Sequence, residues 1–453
     1  MDKVRVLAPS GMLGAGWDHA TVERGIALGA DVISIDGGST DSGPYYLGAA
    51  TAKTTAKAVA RDLRSLFTAA AGAGIPVIVG SCGTSGTDAG VDWVAGIAAE
   101  VLAEEGLDLK VAKIYSEQDA AELKEHLDAG RVHPLPPLGE LIAETLESCT
   151  HIVGAMGHEP IAEALRAGAQ VVLAGRATDT AVAAAFPLMK GMPAGPTWHA
   201  AKIVECGGQC TDNPRAGGVL ATIDAGGFTI EPLDPGAACT PILVAAHMLY
   251  ETANPFEMRE PDGTLDVREA VYTAVDDRTV RVTGSRFHVA DQHTIKLEGA
   301  RITGYETMSF SAIRDPLVLA DIDEWATLMR ALITQRVGQT LGLADEYAFD
   351  LRLYGHNAVL GSLEPEAGPP REVGVMLLVN APDQATATAV AKVANPLMLH
   401  LPTPSMDYLP SFAFPSSPAE VERGAAYEFV LNHVVDCAPS DLFRIEFEGK
   451  THA

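Results

Sequence analysis

The chain has 453 residues, 47% apolar and 20% charged, which describes a globular protein too long for one ordinary hydrophobic core and predicts two or three domains. A formal net charge of −27 argues against nucleic acid or an anionic membrane surface as partner, since both recruit an excess of Lys and Arg. No apolar run follows Met1-Asp2-Lys3 and no stretch long enough to span a bilayer occurs, so neither secretion nor membrane insertion is signalled and a cytoplasmic location is expected.

Residues 4–8 read as a first strand, followed by a glycine-rich turn and a helix from Asp18 to Leu28. The turn is not the dinucleotide fingerprint, because His19 stands where its third glycine would fall, so NAD is not expected. Val32, Ile33 and Ile35 form a buried strand that stops at Asp36, where Gly37 and Gly38 allow a sharp turn. Ser39, Asp41, Ser42 and Tyr45 follow closely. Hydroxyls and carboxylates thus gather at the carboxyl end of a strand, the rim at which α/β sheets bind ligands.

A helix is predicted over 49–71 and a strand over 76–80, leading into a polar loop containing Cys82, Gly83, Thr84 and Ser85. The backbone N–H groups of that loop could hold a carboxylate or phosphate; equally, it is a tight turn with Asp88 capping the helix near 91–105. The alternation continues with strand 109–114, a helix opened by Ser116-Glu-Gln-Asp, helix 139–148, strand 152–154, helix 161–166 and strand 170–174. Roughly six strands fall short of the eight of a closed barrel. The expected fold is therefore α/β, with an open, mostly parallel sheet flanked by helices over 1–195.

One pattern repeats within this segment. Gly29-Ala-Asp-Val-Ile leads to Thr40-Asp41-Ser42, and Gly168-Ala-Gln-Val-Val leads to Thr178-Asp179-Thr180. Each reads as a buried strand followed by an Asp that opens a helix, where a plain N-cap role competes with a role in a site. Arg176, just past a strand end, is shaped to hold a substrate carboxylate, or to support Asp179.

Pro193 and Trp198 mark a change of character, and the polar cluster Glu205-Cys206-Gly-Gly-Gln209-Cys210 follows. Strands are expected over 219–223, 228–230, 280–282 and 294–297, giving a β-rich α+β region over 196–320. A C-terminal α+β region over 321–453 should hold helix 322–341, strands 349–353 and 371–380, helix 384–394, a proline-rich loop over 402–418, a helix near Ala425 and strand 443–447. The six cysteines show no zinc-finger spacing and read as reduced thiols.

Three separated motifs, Pro160 to Asp179, Glu205 to Thr211 and Gly284-Ser285-Arg286, together resemble the acyclic terpene utilisation (AtuA-like) family over roughly the first 320 residues. The resemblance implies breakdown of branched acyl compounds, often as coenzyme A thioesters. The expectation favoured here is an enzyme of the lyase class, a hydro-lyase (hydratase) or carbon–carbon lyase acting next to a carboxylate or thioester, and a homo-oligomer. Longer relatives carry a further C-terminal module, so a small second subunit is a candidate partner. The rival reading is a non-catalytic acyl-ligand-binding or scaffold subunit that needs a second polypeptide.

Such a lyase requires a base for the proton alpha to a carbonyl, an acid for the leaving oxygen and donors for the enolate charge. Asp36 or Glu205 fits the base, Tyr45 or His158 the acid, and the Cys82 to Ser85 loop the donors. Arg176 would anchor the substrate, with Ser39, Asp41, Ser42, Asp179 and Gln209 as further binding residues. His158 equally suits a loop position beside a helix cap. Cys206 offers a nucleophile, against the commoner fate of an inert buried thiol. A divalent metal on Asp36, Asp41 or Glu205 suits the ligand type, but spacing does not establish it.

Overall fold

The computed structural model describes residues 2–215, 217–365 and 368–449. The chain divides into two compact units: a larger one, Met1–Arg301 with Phe429–Ala453, and a smaller one, Ile302–Glu428. In chain order the strands are β1 (Lys3–Ala8), β2 (Val32–Asp36), β3 (Val77–Gly80), β4 (Val111–Tyr115), β5 (Val132–Pro134), β6 (His151–Ala155), β7 (Val171–Ala174), β8 (Val219–Asp224), β9 (Gly227–Pro232) and β10 (Glu257–Glu260). They continue with β11 (Gly263–Asp266), β12 (Val271–Ala274), β13 (Val280–Thr283), β14 (Arg286–Val289), β15 (Thr294–Ile313), β16 (Ala348–Tyr354), β17 (Val373–Ala381), β18 (Glu420–Asp436) and β19 (Arg444–Glu448).

The larger unit is built on a sheet ordered β12-β13-β9-β8-β1-β2-β3-β7-β4-β19. β1, β2, β3, β7 and β4 run parallel. β8 joins β1 antiparallel, from Lys3 opposite Asp224 to Ala8 opposite Val219, and β19 closes the far side antiparallel on β4. The sheet is therefore mixed rather than mostly parallel. The β8–β9 and β12–β13 pairs are hairpins, and a short hairpin turn can add only an antiparallel strand.

Strand alternation distributes the core over both faces. Ile33, Ile35, Val77, Val79 and Leu173 pack beneath helices Ala56–Ala73 and Asp88–Glu105. Val32, Ile78, Val172 and Ala174 pack on the other face with helices Glu159–Arg166, Asp179–Met189 and Ala194–Val204. Both Asp88–Glu105 and Ala56–Ala73 are stopped by a glycine in the left-handed region, Gly106 and Gly74. The N-cap of the former is Thr87, not Asp88.

Three expectations are corrected here. Residues 151–155 leave the parallel series and pair antiparallel with β15, Lys296 to Ala300. Residues 219–283, placed beyond a boundary near 195, contribute four strands to the N-terminal sheet, so burial of that sheet's edge overrides the Pro193 break. The segment around Ala425 is not helical but lies in β18: its alanines suggested a helix, whereas Leu431, His433 and Val435 bury every second side chain, the period of a strand.

The smaller unit pairs β16 with β17, and β17 with residues 305–313 of β15, both antiparallel. Every second residue of β17 is buried, and Val375, Leu377 and Val379 share a core with Trp325, Met329 and Ile333 of helix Ile322–Leu341. No helix among the described residues is long and apolar enough to cross a membrane.

Candidate functional site

The carboxyl ends of β1 and β2, the start of helix Asp179–Met189 and the loop after helix Ala194–Val204 meet around a cleft of about 500 Å³. That volume suits a small organic ligand. Two glycines permit the approach. Gly38 has φ +142°, and a Cβ there would lie 2.6 Å from the Thr84 backbone; Gly207 has φ +57°, and its Cβ would meet the Ser10 backbone at 2.9 Å.

Asp36, Ser39, Asp41, Ser42, Asp179, Glu205, Cys206 and Gln209 all line the cleft. The repeated Thr-Asp pattern thus brings two aspartates from distant strand ends to one place. Neither is an N-cap. Thr178 caps its helix by accepting from the Ala181 N–H, and Ser39 accepts from Asp41 N at 3.1 Å.

The electrostatics are dominated by carboxylates sharing a small volume. Burial, the nearby charge of Asp179 and the hydrogen bond between the two carboxyls raise Asp36 well above the usual range, against the pull of Arg176. Asp36 also accepts from the Gly38 N–H at 3.4 Å. Burial pushes Glu205 up to about 8, with Lys202 pulling it down and Asp179 adding to the rise. Lys202 donates to Glu205, and both side chains are almost completely buried. Burial and the neighbouring Glu205 also raise the Cys206 thiol, which disfavours a thiolate nucleophile.

Other expected residues lie elsewhere. Arg176 is 8% exposed and does not line the cleft. Its guanidinium donates to Glu298 at 2.8 Å, to the Ala177 carbonyl at 2.7 Å and to Ser81 and Asp179 at 3.3 and 3.2 Å. Its donors are directed inward onto these groups, Asp179 among them. Cys82 is fully buried and its N–H already donates to the Ala174 carbonyl. Thr84 accepts from Lys53 N and Ser85 donates to the Tyr46 carbonyl, so the Cys82, Gly83, Thr84, Ser85 loop serves the fold behind the cleft. Tyr45 is 49% exposed and His158 packs on Trp198; neither lines the cleft.

The family model for the acyclic terpene utilisation family protein AtuA matches residues 45–417. The chain belongs to that family. The match begins later and reaches further than the motifs alone indicated. Comparison with curated proteins gave no match, and neither did comparison with solved structures. In this AtuA-family chain the matched span holds Asp179, Glu205 and Cys206, whereas Asp36, Ser39, Asp41 and Ser42 precede it.

Lys53, Lys202, Tyr250 and Glu251 were not anticipated, yet Lys53, Tyr250 and Glu251 line the cleft and Lys202 pairs with Glu205. Lys202 was legible in principle, three residues before Glu205 on a helical spacing. Lys53 carried no local signal; its ammonium donates to Ser42 at 3.2 Å. Among the described residues, three ligating groups gather closely enough for a cation at Glu205, Cys206 and His247 and at His158, Glu159 and Asp262, not at Asp36, Asp41 and Glu205. At the first of these the Lys202 ammonium already sits on Glu205, which opposes a metal ion.

Proposed function

We propose that this cleft is the active site of a lyase acting in acyclic terpene breakdown, adding or removing water, or cleaving a carbon–carbon bond, next to the carboxylate or thioester of a small branched acyl compound. The observation that carries the reading is the meeting of Asp36, Asp179 and Glu205 at one cleft, with Glu205 raised to about 8. A group that titrates near the working pH can both take and return a proton. Burial and the neighbouring Asp179 favour the protonated form of Asp36, and Arg176 pairs with Asp179. In this scheme Asp179 accepts the proton alpha to the carbonyl. Glu205 protonates the departing hydroxyl, and Lys202 compensates the charge left behind. Lys53, exposed at the rim, meets the substrate's anionic group.

The test is turnover by the purified chain of a panel of 3-hydroxyacyl and 2,3-unsaturated acyl compounds, free and as thioesters. Asp179→Asn and Glu205→Gln should each lower kcat by at least about 100-fold, the range expected for a positioned acid or base. Activity that both variants retain would sink the assignment. Turnover that starts only when a second polypeptide is added would make the chain a binding subunit.

A further inference from the structure

Away from the cleft, two imidazoles and two carboxylates converge. His158 and Glu159 stand at the start of helix Glu159–Arg166, Asp262 in the turn between β10 and β11, and His293 one residue before β15. His158 Nδ1 lies 3.0 Å from Glu159 Oε2, and His293 Nε2 lies 3.3 Å from Glu159 Oε1. One ligating atom from each of His158, Glu159 and Asp262 falls within 4.8 Å of the other two. His158 Nδ1, Glu159 Oε2, Asp262 Oδ1 and both ring nitrogens of His293 are buried, and beyond the two ion-pair contacts with Glu159 none makes a well-aligned hydrogen bond.

Buried polar atoms are nearly always hydrogen-bonded, so five that meet only at ion-pair distance or not at all point to a missing ligand. We propose that His158, Glu159, Asp262 and His293 form a binding site for a divalent first-row transition ion that fastens the β10–β11 hairpin to the rest of the larger unit. Two imidazoles with two carboxylates are the donor set of zinc, manganese or iron rather than of calcium or magnesium. The neighbouring cation that opposes an ion at Glu205 has no counterpart here among the described residues, where the ion pairs of Glu159 are to His158 and His293 and not to Lys or Arg. The His158, Glu159 and His293 side chains are 12–21% exposed, which leaves an entry path.

The hairpin gives the site a consequence at the cleft. Two residues before Asp262, Glu260 accepts from Thr178 at 2.9 Å and from Thr180 at 2.5 Å, the residues on either side of Asp179. An ion at Asp262 would thus fix the strand end that holds Asp179 in place, without any of its ligands lining the cleft. This inference stands whatever reaction the cleft performs.

The full chain, stripped with a chelator, is dialysed against Zn²⁺ and, separately, Co²⁺. One ion per chain should bind and raise Tm. Co²⁺ should also quench Trp198, whose ring centroid is 5.7 Å from that of His158, and Trp198→Phe should abolish that quenching. His158→Ala with His293→Ala should weaken binding more than about 100-fold, beyond the loss typical of an outer-shell change, while His247→Ala should leave it intact. If the double variant does not fold, Asp262→Asn and His293→Gln supply the same reading singly. The proposal is overturned if the wild-type chain binds no stoichiometric ion, or if His247→Ala abolishes binding that these variants keep.

Discussion

Replacing Arg176 by Ala separates the two roles open to that residue. Its side chain is held by Glu298, Ser81, Asp179 and the Ala177 carbonyl, and Glu298 in turn accepts from Thr40 at 3.1 Å and from Lys296 at 2.8 Å. Burial would raise Glu298, yet Arg176 and Lys296 hold it down to about 2. Truncation strips Glu298 and Asp179 of their shared cation and leaves Glu298 with Lys296 alone to offset its buried charge. Breaking a buried pair from one side costs about 3–5 kcal/mol, a large part of the roughly 5–15 kcal/mol that holds a domain together. The expected loss in Tm is on the order of 5–15 °C, read by calorimetry and urea unfolding. Arg176→Met combined with Glu298→Met should recover part of it, because the second change removes the stranded charge. An Arg176→Ala protein with an unchanged melting curve and a raised KM would refute the reasoning and restore Arg176 as a substrate anchor.

Further outcomes follow from the titrating groups. Glu260 is raised by burial to about 8 from an ordinary 4.5, so its contribution to stability is complete below 4.5 and is lost as pH rises through 8. Tm should therefore decline over that interval, and Glu260→Gln should flatten the decline. Glu298 has the opposite sign: its contribution is present above the ordinary 4.5 and disappears as pH falls through about 2, so Glu298→Gln should reduce acid sensitivity. If Glu205 is the proton donor, kcat/KM should fall above about 8, and the corresponding step should vanish in Glu205→Gln. Lys53→Met should raise KM for anionic substrates with little effect on Tm, since its ammonium is exposed and bonded only to Ser42 among the described contacts; an unchanged KM would remove Lys53 from the binding site.

The parallel heart of the sheet was legible from the alternation of short apolar runs with helical segments. Val171–Ala174 is apolar on both faces and residues 32–35 nearly so, Ser34 apart, and every residue of both strands is buried, as in a strand covered by helices on each side. The rim residues were legible for a related reason. A carboxylate followed by glycines at the end of such a run belongs at the sheet edge, which singled out Asp36; Asp179 came from the repeated Thr-Asp pattern and Glu205 from the polar cluster that runs to Cys210. For Arg176 the sequence offered Asp179 as a partner but not Glu298, which lies 122 residues later with nothing near Arg176 to announce a buried anion. Lys53 was overlooked because the lysine of an exposed turn looks the same whether or not a cleft opens beside it.

Sequence alone thus determined the strand-and-helix alternation, the family and the residue types offered at the strand ends, because these depend on periodicity and local backbone chemistry. Tertiary structure alone decided which of those residues meet, which cation faces inward, and that hairpins β8–β9 and β12–β13 extend the sheet antiparallel. It also decided that Asp262 and His293 reach His158 and Glu159. Charge coupling and desolvation act through space over a few ångströms, and the partners that set them are brought together only when segments a hundred or more residues apart pack into one interior.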